Sequence, residues 1–282
     1  MPTFRYVIAD VFTDTALSGN QLAVFTDARD IPEETLQPLA KEMNLSETVY
    51  VYPSEEADAK IRIFTPGTEL QFAGHPTLGS AFILGGPMQL EEIVLATGKG
   101  LVPVRLEREG ARIVFGRMTQ PIPVWEPFER ADEMLAALGV ERSELPVTLY
   151  DNGIHHVYIV LESEAAVAAL RPNSGALAEI AGYAGSVCIA GSGTQWKVRM
   201  FAPADGIMED PATGSAAGPV AVHLARHGRI AWGDEIEITQ GVEIGRPSKL
   251  YARADGEGDT VERVEVGGSA VIVARGEFKL GA

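Results

Sequence analysis

Arg62-Ile63-Phe64-Thr65-Pro66 followed by His75-Pro76-Thr77-Leu78-Gly79-Ser80-Ala81, and then Arg199-Met200-Phe201-Ala202-Pro203 followed by Asp210-Pro211-Ala212-Thr213-Gly214-Ser215-Ala216, are one pattern written twice. Arg62 and Arg199 lie 137 positions apart, and Pro76 and Pro211 lie 135 apart, in a chain of 282 residues. Self-similarity near half the length means two copies of one fold, not a stack of short repeats. Each copy reads as an apolar strand (60–64, 197–201), a loop, and a helix of small residues. Pro76 and Pro211 suit the first helical position, where the missing N–H is no loss. Asp210 suits the N-cap of the second helix, and Gly85-Gly86 and Gly228 suit the C-terminal stops. Each half therefore presents a helix N-terminus, whose unpaired N–H groups and positive dipole end bind anions. Two such ends facing one cleft between the halves make a site for a small carboxylate. The plainer reading, close packing of 79–81 and 214–218 in a core, is compatible with it.

The chain carries 23 Lys and Arg against 39 Asp and Glu, a formal net charge of −16. No basic stripe appears, which argues against nucleic acid, and the excess of acid argues against an anionic membrane surface. An anionic substrate has to be drawn in locally, by helix ends and by Arg62 or Arg199, against the overall field. At 46% apolar and 22% charged residues, the composition is that of a globular protein with ample core. The single Cys188 excludes an internal disulfide and a cysteine-rich metal site. Residues 1–13 hold Arg5 and Asp10 and no signal-peptide core, and no apolar run reaches the ~18 residues of a membrane span. The expected compartment is the cytoplasm.

Periodicity and turn residues predict opening strands at 6–12 and 22–25, then an amphipathic helix over 33–43 with Leu36, Leu39, Ala40 and Met43 on one stripe and Asn44 as its stop. Further strands are expected at 48–52, 93–96, 101–106, 112–117, 156–161, 186–189, 235–239, 249–254, 262–266 and 271–274. Helices are expected at 129–138, closed by Gly139, and near 164–170 and 176–181. The proline-rich stretch 118–127 reads as the connector between halves, and Pro219 is expected to kink its helix. Short strands punctuated by turns give an α+β class with mixed, mainly antiparallel sheets. No Gly-rich phosphate loop follows a first strand, so a dinucleotide-binding reading is poor.

Glu47 sits between Ser46 and Thr48, where a helix hands over to an apolar strand. A partly desolvated carboxylate there has its pKa raised toward the range useful for general acid–base work. Spacing alone favours a plain rim carboxylate instead. His75 and Asp210 occupy equivalent places before Pro76 and Pro211, and either flank one substrate or cap their helices. Cys188, in an apolar strand, reads as a small core residue. His223 and His227 are four apart on a helix without a partner carboxylate. His155 and His156 point to opposite faces of a strand. No metal site is expected.

Gly19-Asn20, Asn44-Leu45-Ser46-Glu47-Thr48, Phe64-Thr65-Pro66, Phe72-Ala73-Gly74-His75-Pro76-Thr77-Leu78-Gly79 and Glu209-Asp210-Pro211-Ala212-Thr213-Gly214-Ser215-Ala216-Ala217-Gly218 resemble the signature segments of the phenazine-biosynthesis PhzF-like isomerase family. Gln240-Gly241 with Gly245-Arg246-Pro247-Ser248 resembles it too. Gln21 departs from the proline the family usually has after Gly-Asn. The resemblance implies a diaminopimelate-epimerase-like fold, with two pseudo-symmetric halves, each a β-barrel-like mixed sheet around a central helix. The halves are expected at 1–118 with 270–282, and at 119–269, with the active site in the cleft between them. The resemblance also implies that Glu47 is the acid/base, assisted by His75 and Asp210. Gly74, Gly214 and Ser215 would hold the substrate carboxylate, with Asn20 as a further candidate contact. The implied reaction moves a proton between carbons of a small unsaturated or cyclic carboxylate, as with 2,3-dihydro-3-hydroxyanthranilate. It needs no cofactor, and many family members are homodimers. The same fold also supports two-cysteine racemases, which one cysteine excludes. A non-catalytic carboxylate-binding protein on this fold is the alternative, against which Glu47, His75 and Asp210 together argue.

Overall fold

The computed structural model of the protein describes residues 2–280. The elements run β1 (Thr3–Val11), β2 (Asn20–Phe25), α1 (Glu33–Met43), β3 (Glu47–Tyr52), β4 (Ala59–Phe64), β5 (Glu69–Leu70), α2 (Gly74–Met88), β6 (Glu92–Thr97), β7 (Gly100–Glu109) and β8 (Arg112–Thr119). They continue with β9 (Val124–Pro127), α3 (Ala131–Leu138), β10 (Thr148–Asp151), β11 (His155–Val160), α4 (Glu164–Ala169), α5 (Ser174–Ala178), β12 (Gly185–Ser192), β13 (Gln195–Ala202), β14 (Ile207–Asp210) and α6 (Gly214–Arg226). The last strands are β15 (Glu235–Gln240), β16 (Ser248–Glu257), β17 (Thr260–Gly268) and β18 (Ala270–Lys279). Two compact units emerge, one of 1–119 with 267–282 and one of 120–266.

In the first unit β1 pairs antiparallel with β18 and β2, β2 parallel with β3, and β3 antiparallel with β4. β4 pairs antiparallel with the short β5 and parallel with β6, and β6–β7–β8 close as an antiparallel meander. The second unit repeats that order of pairings. β10–β11 is antiparallel, β11–β12 parallel and β12–β13 antiparallel, while β13 takes β14 antiparallel and β15 parallel, and β15–β16 is antiparallel. This is an α+β protein built twice from one plan. The plan reaches the side chains: Arg62 stacks over Phe64 at 5.2 Å from the ring centre, and Arg199 over Phe201 at 5.0 Å.

α2 is apolar on all sides because it is buried on all sides. It packs against β1, β2, β3, β6, β7, β8 and β18. Its Leu78, Phe82 and Ile83 are buried, each contributing about 1.5–3 kcal/mol of transfer energy. Gly79 is the point of closest approach: a Cβ there would lie 2.6 Å from Leu22 and 2.7 Å from Val11. In the second unit α6 is buried from Gly214 to Ala225 and packs against β11, β15 and β16. A second core cluster joins α3, α4 and α5 to β11 and β12 through Met134, Val157, Val167, Leu177 and Cys188.

α1 has the expected bounds, with Leu36, Leu39 and Ala40 buried and Asn44 left-handed at φ 50°. Gly139 closes α3 at φ 72°, and Gly228 closes α6 at φ 67°. Several other expectations need correction. α2 runs through Gly85-Gly86 and stops at Gln89, whose N–H and that of Leu90 bond back to the Gly86 and Gly85 carbonyls. α2 begins at Gly74, so Pro76 is its third residue. First-turn N–H groups are all without intrahelical acceptors, so a proline fits there as well as at the first position. α6 begins at Gly214, well past Pro211. Asp210 is the last residue of β14 and not an N-cap, because a residue before proline is held extended. The helix starts, Gly74 and Gly214, are thus 140 positions apart, and the structural counterpart of His75 is Ser215. The expected connector contains the strand β9.

Candidate active site

In the first unit Asn20 opens β2 and Glu47 opens β3. These strands are parallel, with Leu22 opposite Glu47, so their N-terminal ends lie side by side. The glycine contact at Gly79 draws the start of α2 onto them, and His75 sits on its first turn. His75 Nδ1 is 3.2 Å from Asn20 Nδ2, and His75 Nε2 is 3.2 Å from Glu47 Oε2. Asn20, Glu47, His75 and Gly74 are all buried. Burial pulls the His75 pKa down to about 3, and a hydrogen bond to the Gln21 backbone offsets only part of this. The ring is therefore neutral near pH 7. Nδ1 thus faces the Asn20 amide and Nε2 faces the Glu47 carboxylate.

In the second unit Asp210 ends β14 and is buried. Its Oδ2 accepts from Thr213 Oγ1 at 2.6 Å. Gly214 and Ser215 form the first turn of α6 and are buried. No side chain caps α6 at Thr213 or α2 at Ala73. Both helices thus keep first-turn N–H groups without intrahelical acceptors, as an anion site needs. The Thr213 N–H is not among them, because it donates to Gln240 Oε1 at 3.1 Å.

Sequence reasoning missed Asn152. Pro219 removes the N–H that would bond the Ser215 carbonyl four residues earlier. Asn152 Nδ2 supplies the bond at 2.8 Å. Gln120 Nε2 donates to Gly214 O at 2.8 Å and Tyr158 Oη to Ala216 O at 3.1 Å, so three side chains hold this first turn. The proline inside a small-residue helix was the available signal for such a donor.

Neither arginine proposed to attract the substrate is available for it. Arg62 is forked to Glu33 and Glu69, and Arg199 is forked to Glu209 in a buried pair and bonded to the Val167, Ala168 and Leu170 carbonyls. Cys188 is buried, and desolvation pushes its thiol up to about 12, so it is no nucleophile. Burial pulls His223 down to about 3, and its Nδ1 lies 3.2 Å from Tyr150 Oη. His155 is exposed and His156 buried, as alternation on a strand requires. Among the described residues no group of three or more His, Cys, Asp or Glu is placed to hold a metal. Among the described residues no helix is long and apolar enough to cross a membrane.

The sequence pattern of the phenazine biosynthesis-like proteins (PhzC-PhzF) matches residues 9–276. The trans-2,3-dihydro-3-hydroxyanthranilate isomerase of Pseudomonas aeruginosa is 51% identical over 277 residues, covering 98% of this chain and 99% of that protein. The enzyme of the same name from Pseudomonas chlororaphis is 49% identical with the same coverage. Among solved structures, the PhzF-family phenazine biosynthesis protein of Bacillus anthracis superposes with a TM-score of 0.84 at 25% identity, covering 99% of this chain and all of that one. A hydroxyproline epimerase from Agrobacterium vitis shares the fold, with a TM-score of 0.67 at 12% identity, covering 98% of this chain and 92% of that one.

Proposed function

The chain belongs to the family of phenazine biosynthesis-like proteins and is an isomerase, and from that premise we propose that it isomerises trans-2,3-dihydro-3-hydroxyanthranilate with Glu47 as the proton carrier. The observation that carries the reading is the buried contact of Glu47 Oε2 with His75 Nε2 at 3.2 Å. A neutral imidazole 3.2 Å from the carboxylate packs against it without bringing a charge that would lower its proton affinity. The Glu47 carboxylate takes a proton from one ring carbon, the double bonds shift, and the carboxyl returns a proton to another ring carbon. One C–H bond breaks and one forms, so substrate and product have the same atoms and no electrons are gained or lost. One residue serves as base and then acid, which positioned carboxylates do well when they are held apart from bulk water.

In this reading the substrate carboxylate is received by first-turn N–H groups at Gly74, Gly214 and Ser215. Asp210 is a further candidate group for the ring, and Asn20 Nδ2 lies 3.2 Å from His75 Nδ1. The reading is tested by a crystal structure with the substrate or a stable analogue bound: carboxylate density away from both helix starts refutes it. Turnover is followed by NMR in D2O, where loss of one ring C–H signal and gain of another report the isomerisation, and deuterium at the receiving carbon reports exchange of the carried proton before its return. A folded enzyme that leaves this compound unchanged while isomerising another unsaturated carboxylate refutes the substrate. Binding without isomerisation favours the non-catalytic alternative. The family resemblance also implies a homodimer, which sedimentation velocity reads directly.

A further inference from the structure

Gln240 ends β15 in a buried position, and its amide makes three hydrogen bonds, all to the segment between β14 and α6. Oε1 accepts from the Thr213 N–H at 3.1 Å, and Nε2 donates to the Asp210 carbonyl at 2.8 Å and to Thr213 Oγ1 at 2.9 Å. The backbone partners fix which end of the amide is which, since an N–H can only donate and a carbonyl can only accept. Thr213 Oγ1 therefore receives a proton from Gln240, and its own proton points to Asp210 Oδ2 at 2.6 Å. Threonine is a favoured N-cap, where its oxygen ordinarily accepts from the second or third helical N–H. Thr213 stands at the N-cap of α6, yet its side chain caps nothing. In the first unit the same position is Ala73, which has no oxygen to offer. Both helix starts are left uncapped, one by composition and the other by a held side chain. Gly241 makes the approach possible: its φ is +76°, and a Cβ would lie 2.6 Å from the Pro211 carbonyl oxygen.

We propose that Gln240 is a positioning residue for the isomerisation, holding the Thr213 hydroxyl on the Asp210 carboxylate and off the N-terminus of α6. This rests on the reading of Asp210 and of the α6 N–H groups as substrate-facing. The arrangement aims the carboxylate through a charge-assisted bond and keeps the N–H groups open for the substrate's own carboxylate.

The two tasks separate in kinetics. With trans-2,3-dihydro-3-hydroxyanthranilate as probe, Thr213→Val loses the bond to Asp210 but cannot cap α6. Its kcat falls ~10–100-fold with KM near that of the wild type. Thr213→Ser restores kcat to within a few-fold. Gln240→Met releases the hydroxyl to cap the helix, so kcat falls and KM also rises several-fold. The double variant Gln240→Met/Thr213→Val loses that rise in KM, because no hydroxyl remains to cap. All are compared as folded proteins by near-UV circular dichroism, with Asp210→Asn alongside. Wild-type kcat and KM in both Thr213→Val and Gln240→Met overturn the proposal. So does an equal loss in Thr213→Ser and Thr213→Val, which would mark a packing defect. An inactive Asp210→Asn beside normal Thr213→Val and Gln240→Met removes the positioning role and leaves the site reading standing. Normal turnover by Asp210→Asn removes both.

Discussion

Lowering the pH from 7 to 5 should strip several kcal/mol of stability from this protein through three buried imidazoles. Desolvation pulls His75 and His223 down to about 3 and His156 down to about 4, from an ordinary 6.5. Each is neutral in the folded state at pH 5 and almost fully protonated in the unfolded state. The unfolded chain binds more protons, so stability rises with pH across this window and is lost as pH falls below about 6.5. With one pKa unit worth about 1.4 kcal/mol, each imidazole removes about 2 kcal/mol between pH 7 and pH 5. The second unit holds His156 and His223 and loses about 4 kcal/mol, whereas the first, with His75, loses about 2. His227, less buried and also shifted down, adds in the same direction. Against a typical total of about 5–15 kcal/mol, such a loss brings the protein near unfolding at pH 5. Urea titrations at the two pH values, with amide exchange to separate the units, measure it. His156→Gln should flatten the pH dependence of the second unit by about half. A stability change under about 1 kcal/mol, or a dependence untouched by His156→Gln, refutes the assignment of these rings as buried and neutral.

Asn152→Ala leaves the Ser215 carbonyl without its donor and should lower stability by about 1–3 kcal/mol, read from the melting temperature. Adding Pro219→Ala returns a backbone N–H to that carbonyl and should recover part of the loss, whereas additive losses would refute the compensation. Arg199→Ala strands a buried Glu209 and should destabilise by about 3–5 kcal/mol in denaturant unfolding. A loss below about 1 kcal/mol would show that the pair is hydrated. Asp210→Asn keeps the acceptor for Thr213 but removes the charge, so it should fold normally and lose turnover.

The repeat made the two-unit plan legible, because matching Arg-x-Phe strands and small-residue helices recur with matching partners in the structure. Glu47 stands out as a candidate for chemistry only through its family-like surroundings, since a single carboxylate between Ser46 and Thr48 has no pattern of its own. The sequence alignment paired His75 with Asp210, whereas the helix starts pair His75 with Ser215. The prolines misled it, since Pro76 lies inside a first turn and Pro211 lies before one, and both places tolerate a missing N–H. The partners of Gln240 and Asn152 could not be read at all: each spans a long sequence separation and depends on β15 and the loop after β10 reaching α6.

The central claim is that the Glu47 carboxylate carries the proton. The most direct test follows trans-2,3-dihydro-3-hydroxyanthranilate in D2O by NMR with the wild type and with Glu47→Gln, which keeps the shape and cannot shuttle a proton. The account predicts isomerisation by the wild type, with deuterium in the product only as far as the carried proton exchanges before its return, and a loss of at least ~10²–10⁴-fold in a Glu47→Gln variant that folds and binds normally. Turnover by Glu47→Gln within a few-fold of the wild type would contradict it.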